Sequence, residues 1–185
     1  MKLPIVAYGD PVLKKKCEPI DKNYPDLKGL IENMWETMYN ASGVGLAAPQ
    51  VGLPIRLFVV DTGELDDEPQ YKKAFINAQI LEESGEPWGF SEGCLSIPDI
   101  REEVMRKPNI VIQYFDENWE EHKEAVTGFA ARVIQHEYDH IEGKLFTDKI
   151  SLLRKQLLKS KLDKITKGEV RADYKMRFPK QNKKR

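Results

Sequence analysis

The chain has 185 residues, of which 41% are hydrophobic and 32% charged, which suits one ordinary globular core and is short for two. Its net charge of -1 excludes the basic balance of a dedicated nucleic-acid-binding protein. The charge is unevenly divided, because residues 154–185 hold 13 Lys and Arg against 3 Asp and Glu, a net of +10, which leaves -11 for residues 1–153. The sequence therefore predicts an acidic body with a basic tail.

The cysteines and the N-terminus indicate where the protein works. Two cysteines, Cys17 and Cys94, exclude a disulfide-dense secreted scaffold, and reduced thiols are expected. Residues 1–17 lack both the apolar core of a signal peptide and the acid-poor, arginine-rich composition of a transit peptide. No apolar run approaches the ~18 residues that span a bilayer. We expect a cytoplasmic protein that is neither exported nor attached to a membrane.

The first half of the chain predicts a helix followed by strands. Apolar residues at helical spacing predict a helix over residues 24–40. Strands are predicted over residues 55–61 and 72–81, with an acidic loop between them. Residues 109–128 read as a hairpin that turns near residues 116–118.

The second half predicts two more helices and a tail. One helix is predicted over residues 129–142, ended by Gly143 in the position where a left-handed residue commonly stops a helix. Another is predicted over residues 151–165. The polar, basic residues 166–185 are expected to form a flexible tail, so that residues 1–165 make up the single domain.

The strongest chemical signal is the pattern His-Glu-Tyr-Asp-His, an HExxH motif on the helix over residues 129–142. On a helix, His136 and His140 project from one face and can bind one metal ion. Glu137 then lies beside the metal without binding it, where it can accept a proton from a water that the metal activates. The alternative is a helix with two hydrogen-bonded core histidines, and the pattern favours the metal.

A catalytic metal normally has three protein ligands and one open position, so a third ligand is needed. The position of a third histidine in the longer zinc-protease motif is Phe146, Glu169 lies in the tail, and His122 lies in a charged strand. The upstream candidate is Cys94, which follows a glycine in a loop-like stretch of small residues. The alternative for a single cysteine is a small buried hydrophobe, and Cys17 suits that description.

Three segments carry a resemblance to a known family. They read GVGLAAPQ at residues 43–50, EGCLS at residues 92–96 and QHEYDH at residues 135–140. In this order they strongly resemble bacterial peptide deformylase, and the likeness covers about residues 3–165. It implies an α+β fold, with mixed or antiparallel sheets packed around the central HExxH helix and a C-terminal helix. It also implies removal of the formyl group from N-formylmethionine at the start of nascent polypeptides.

The resemblance implies a ligand set and a mechanism. By residue-to-residue match, Cys94, His136 and His140 would bind one divalent metal ion, Fe(II) in the cell, with Zn(II) or Ni(II) in purified protein. Spacing alone does not choose among these metals. Glu137 would move the proton, while the Gln50 side chain and, as the family match implies, the backbone N–H of Leu95 would donate hydrogen bonds to the oxyanion.

The substrate is expected to add as a short strand against the main chain near the first two motifs. From the local sequence alone, Gly43 and Gly45 suit turn residues as well as they suit a close approach of the substrate backbone. Arg101 suits an exposed surface position about as well as it suits a substrate contact. The residues expected to contact the substrate are Gly43, Val44, Gly45, Phe90, Glu92, Gly93, Arg101, Phe129 and Val133.

Two other functions compete with this one. One is a zincin-type protease, which shares the HExxH motif. This hypothesis predicts that the Cys94→Ser variant still binds its metal ion. A non-catalytic interaction protein with a structural metal would need a fourth protein ligand or the loss of Glu137. A separate hypothesis is that the basic C-terminal helix and tail dock a monomeric enzyme on the ribosome, and its alternative is a solvated helix packed on the domain.

Overall fold

The computed structural model describes residues 1–180, in which strands precede and surround the helix that carries the HExxH motif. In chain order the strands are β1 (Ile5–Val6), β2 (Gly45–Ala47), β3 (Leu57–Asp61), β4 (Lys72–Ser84), β5 (Trp88–Cys94), β6 (Ile97–Arg106), β7 (Asn109–Phe115), β8 (Glu121–Val126) and β9 (Met176–Arg177). The α-helices are α1 (Leu27–Asn40), α2 (Gly128–Ile141) and α3 (Leu152–Thr166). Short 3-10 turns lie at Pro11–Lys14, Ala48–Val51 and Phe146–Lys149.

The strands form one large sheet and two small ones. The large sheet has the order β2-β3-β4-β7-β8, with every neighbouring pair antiparallel. Strands β5 and β6 form a separate antiparallel hairpin, and β1 pairs in parallel with β9. In residues 1–180, two antiparallel sheets and one short parallel pair combine with α-helices, which confirms the predicted α+β class.

Helix α2 is central because it is buried along nearly its whole length. Its Ala131, Val133 and Ile134 pack in one apolar cluster with Phe58 and Phe75 of the large sheet. The helix ends before Gly143, which has a φ of 74°, as the sequence predicts. Among residues 1–180, none of the helices combines the length and the apolar character that a bilayer crossing requires.

Carboxylates cap the N-termini of α1 and α2. Helix α1 begins at Leu27, because the Asp26 side chain accepts a hydrogen bond from the backbone N–H of Gly29. Helix α2 receives no side-chain bond from its own N-cap residue. Instead Glu68, in the acidic loop between β3 and β4, accepts a hydrogen bond from the backbone N–H of Phe129 at 3.2 Å.

Several elements differ from the sequence-based prediction. The predicted helices, the strands β3 and β4 and the β7–β8 hairpin are present with shifted ends, but β5 and β6 were not predicted. Cys94 is the last residue of strand β5 rather than a loop residue. The expected flexible tail returns to the body in part, because Met176 and Arg177 pair with Ile5 and Val6. Residues 181–185 of that tail lie outside the described residues.

Candidate active site and metal centre

A cleft with a volume of about 660 Å³ lies between the large sheet, the β5–β6 hairpin and α2. Its walls come from the connection between α1 and β2, from both strands of the hairpin, from α2 and from residues 171–174. Strand β2 is the last strand of the large sheet, and β5 is an outer strand of its own hairpin. The cleft therefore opens between two strand edges that a peptide could join.

At the base of the cleft, three side chains bring soft and borderline donors together. Cys94 ends β5, while His136 and His140 lie one turn apart on α2. The ligand atoms of all three lie within 4.8 Å of one another, and Cys94 Sγ is 3.4 Å from His140 Nε2. One thiolate and two imidazole nitrogens form a donor set that fits a first-row divalent metal ion.

The orientation of His136 is fixed by a buried ion network. Glu92 Oε1 lies 2.9 Å from His136 Nδ1, which directs the other ring nitrogen toward the cluster. The same carboxylate accepts hydrogen bonds from Arg106 at 2.7 and 2.9 Å and from Arg132 at 2.8 Å. Burial acts to raise the pKa of Glu92, but His136 and Arg106 outweigh it and hold that pKa well below its usual range.

The two histidines have different protonation preferences. Burial holds the pKa of His140 well below its usual range, so its imidazole is neutral and can bind a metal. Burial also acts to lower the pKa of His136, but hydrogen bonds to Cys94 and Glu92 outweigh it and raise that pKa. A metal ion at this site would therefore displace a proton from His136.

Glu137 is a buried carboxylate with an unpartnered oxygen. It is 4% exposed, and among residues 1–180 its Oε2 atom has no hydrogen-bond partner. Burial raises the pKa of Glu137 to about 7. Gly45 permits this placement, because a Cβ atom there would lie 2.7 Å from Glu137 Cγ. Gly45 is thus a residue of close approach within β2 and not a turn residue.

The amide of Gln50 is oriented by its neighbours. Its Oε1 accepts a hydrogen bond from the backbone N–H of Ala47 at 2.9 Å, so its Nε2 faces the other way. Nε2 lies 3.4 Å from Cys94 Sγ and donates to Ser96 Oγ at 3.2 Å. A donor group of Gln50 is therefore held beside the side chains of Cys94, His136 and His140.

The structure brings the sequence-predicted site residues together. His140 reaches the cluster from its buried position, and the others line the cleft: Gly43, Val44, Gly45, Gln50, Phe90, Glu92, Gly93, Cys94, Leu95, Arg101, Phe129, Val133, His136 and Glu137. The rings of Phe90 and Phe129 lie 5.7 Å apart and form an apolar wall. The guanidinium of Arg101 donates a hydrogen bond to the backbone carbonyl of Ser91 at 2.6 Å.

The rejected ligand candidates lie elsewhere. Phe146 packs in the core, His122 pairs with Asp116 at 2.7 Å, and Glu169 is exposed after α3. Cys17 is buried, and burial raises the pKa of its thiol to about 11, so it behaves as a small apolar residue.

Sequence reasoning missed the residues after α3 that enter the cleft. Arg171, Ala172, Asp173 and Tyr174 form part of its wall. They belong to a polar stretch with no apolar period, and nothing local in the sequence indicates that it returns to the site. Arg132 was also missed, because an arginine on a helix is ordinarily exposed.

Known proteins are similar to this chain in sequence and in fold. The family described as Polypeptide deformylase matches residues 2–156. A peptide deformylase from Christiangramia forsetii is 61% identical over 196 residues, which cover 100% of both chains. The crystal structure of a peptide deformylase from Legionella pneumophila has a TM-score of 0.81 at 34% identity, covering 92% of this chain and 99% of that chain.

A second solved structure, of the peptide deformylase from Thermotoga maritima, has a TM-score of 0.75 at 45% identity and covers 82% of this chain and 99% of that chain. Family match, curated relative and solved structures agree with the resemblance in the three sequence motifs. The chain therefore belongs to the peptide deformylase family, whose members are metal-dependent hydrolases that remove the N-formyl group from nascent polypeptides.

Proposed function

We propose that Cys94, His136 and His140 bind one divalent metal ion in this deformylase, and that Glu137 moves the proton during hydrolysis. The observation that carries the proposal is the convergence of three ligand atoms within 4.8 Å. The buried Glu137 lies on the same helix, next in sequence to His136. Fe(II) is the proposed metal in the cell, and Zn(II) or Ni(II) can take its place in purified protein. When bound, the metal supplies Lewis-acid chemistry, which lowers the pKa of water and polarises the formyl group.

The protein's own groups perform the proton transfers. Glu137 Oε2 accepts the proton of the attacking water, since this atom is buried and unpartnered among residues 1–180. The same carboxyl group then gives that proton to the departing amine nitrogen. The products are formate and a peptide with a free N-terminus. Exclusion of bulk water from this buried carboxylate keeps the proton at the reacting atoms.

Two donors are proposed to stabilise the negative charge on the oxygen of the tetrahedral intermediate. Gln50 Nε2 is one, because the bond from the Ala47 N–H to its Oε1 fixes the direction of the amide. The backbone N–H of Leu95 is the other, next to Cys94 in the turn of the β5–β6 hairpin. Both donors are fixed before the substrate arrives, so they need no reorganisation during the reaction.

The substrate is proposed to lie between the edges of β2 and β5. Val44, just before β2, is 41% exposed, and Gly93 lies on the facing strand without a side chain in the way. The aromatic wall formed by Phe90 and Phe129, together with Val133, suits an apolar methionine side chain. The Glu92 carboxylate is held by the ion network, so a substrate contact is left to its backbone.

The test of the proposed function is formate release from the tripeptide formyl-Met-Ala-Ser, with protein purified without oxygen. We expect wild-type activity, a loss of about 10²–10⁴-fold in kcat for Glu137→Gln, and an unchanged metal content. The matched control is Glu32→Gln, which makes the same change on the exposed face of α1. A Glu137→Gln variant as active as the control would overturn the role of Glu137.

Docking of the enzyme on the ribosome is proposed for the exposed side of α3. Leu152, Leu153 and Leu157 are 77%, 65% and 60% exposed and lie among the basic residues of this helix. The nascent substrate is made in the cytoplasm, so the enzyme is proposed to act there. It is proposed to act as a monomer. Co-sedimentation with ribosomes should weaken in the double variant Leu153→Gln, Leu157→Gln but not in the control Leu81→Gln. Co-sedimentation of the double variant at the wild-type level would overturn the docking proposal.

A further inference from the structure

The cleft has one wall that the family match does not include. The matched residues end at residue 156, whereas residues 171–174 line the cleft together with Cys94 and Glu137. This wall is reached only after α3, from the segment that the sequence presents as a tail.

The segment is fixed to the body on both sides of Tyr174. Before it, the backbone N–H of Glu169 donates to the Lys164 carbonyl at 2.9 Å, at the end of α3. After it, the backbone N–H of Ile5 donates to the Lys175 carbonyl at 2.9 Å, which begins the pairing of β1 with β9. Tyr174 is thus held at a defined place above the cleft, and its ring packs in the same apolar cluster as Leu95.

The hydroxyl of Tyr174 donates a hydrogen bond to the backbone carbonyl of Leu95 at 2.7 Å. Leu95 and Ser96 are the two turn residues of the β5–β6 hairpin, because Cys94 pairs with Ile97. A carbonyl in such a turn has no partner in the strand ladder and needs one from elsewhere. Tyr174 provides that partner.

Leu95 is held from a second direction by its side chain. A Cβ atom at Gly43 would lie 2.8 Å from Leu95 Cδ1, so this side chain sits directly against the glycine backbone. The next residue, Ser96, accepts the hydrogen bond from Gln50 Nε2. The orientation of the backbone at Leu95 is therefore set together with the position of the Gln50 amide.

We propose that Tyr174 is a positioning residue for deformylation, which fixes the turn at Leu95 so that its N–H faces the developing oxyanion. This inference rests on the proposed function, since it assigns Tyr174 a role through the Leu95 donor. A residue that acts on the oxyanion donor affects the chemical step more than the binding of the substrate. A hydroxyl that only stabilises the fold affects unfolding and leaves the kinetic constants unchanged.

The test is Tyr174→Phe, which removes the hydroxyl and keeps the ring. We expect kcat for formyl-Met-Ala-Ser to fall on the order of 10-fold, less than the ~10²–10³-fold that loss of an oxyanion donor itself costs, with KM changed by less than about 2-fold. The control is Tyr71→Phe, which also removes a tyrosine hydroxyl bonded to a protein oxygen, here on Glu124 outside the cleft. We expect the control to retain the wild-type kcat.

The outcomes separate this inference from the proposed function. No formate release by the wild-type enzyme would overturn the proposed function itself. An active wild type with an equally active Tyr174→Phe variant would overturn only the role of Tyr174. A raised KM with an unchanged kcat would also overturn it, because the hydroxyl would then act in substrate binding. Unfolding midpoints measured on the same samples exclude loss of folded protein as the cause of a lower kcat.

Discussion

Glu92 Oε1 lies 2.9 Å from Nδ1 of His136, and the Glu92 side chain is 5% exposed. The same carboxylate pairs with Arg106 and Arg132, so it joins the side chains of Cys94, His136 and His140 to the buried ion pairs beneath them. Partners of this kind fix the ring of a metal-binding histidine and raise its strength as a ligand. We therefore expect this one side chain to couple the stability of the fold to the affinity for metal.

Replacing this carboxylate should affect both properties. We expect Glu92→Gln to weaken metal binding by about 10–100-fold, because the contact that orients the His136 ring is impaired. It should also destabilise the fold by about 3–5 kcal/mol, since buried Arg132 loses its counter-charge and buried Arg106 keeps only Asp139. Metal titration by competition with a chelator and urea unfolding measure the two effects. Wild-type metal affinity in the variant would contradict the coupling.

The close contact between Gly45 and Glu137 predicts that a single methyl group disturbs the reaction. In Gly45→Ala the new Cβ would lie within 3 Å of the Glu137 side chain, which must move. A misplacement of about 1 Å in a catalytic group can cost on the order of 10²-fold, and we expect kcat to fall by that amount. The metal content should stay at the wild-type level. An active Gly45→Ala enzyme would show that Glu137 does not need this position.

The ion pair at Glu124 predicts a pH dependence of stability away from the cleft. Burial acts to raise the pKa of Glu124, but hydrogen bonds from Lys73 and Tyr71 outweigh it and lower that pKa below 4.5. Because the folded pKa is lowered, the stabilisation is complete above the unfolded pKa and is lost as the pH falls through the folded value.

We therefore expect Glu124→Gln to unfold more easily than wild type at pH 7, by about 1 kcal/mol. The difference should shrink as the pH falls below 4.5. Urea unfolding at a series of pH values measures it. A difference that stays constant down to the acid limit would argue against the assigned ion pair.

Two neighbouring leucines on α3 test which side of this helix faces the core. Leu158 is 5% exposed and packs in the core, while Leu157 is 60% exposed. We expect Leu158→Ala to cost about 2–5 kcal/mol of unfolding free energy and Leu157→Ala less than about 0.5 kcal/mol. Denaturant unfolding of both variants gives the comparison. Equal losses of unfolding free energy in the two variants would contradict the packing of α3 through Leu158.

The elements that the sequence predicted well have an unbroken apolar period. Helix α1 is recognised because Ile31, Met34 and Met38 fall on one buried face. Strand β6 alternates buried and exposed positions just as regularly, yet two of its buried positions are Glu102 and Arg106. A sequence pattern reads such residues as exposed, because their charge partners lie on distant parts of the chain.

Those partners appear only in the folded protein. Glu102 pairs with Arg154 of α3 at 2.6 Å, and Arg106 pairs with Glu92 and Asp139. The convergence of Cys94, His136 and His140 was predictable because the HExxH spacing is local and the cysteine motif resembles a known family. The contact of Tyr174 with the site was not, because it depends on a chain reversal after α3 that no local pattern specifies.

The most direct test of the metal centre compares the two cysteines. Cys94→Ala and Cys17→Ala are each loaded with Fe(II) or Co(II) without oxygen, and bound metal and formate release are measured beside wild type. We predict one ion per chain in wild type and Cys17→Ala, and loss of both metal and activity in Cys94→Ala, since only Cys94 joins the histidines within 4.8 Å. A Cys94→Ala protein that still holds one ion per chain would contradict this ligand set and favour a zincin-type site.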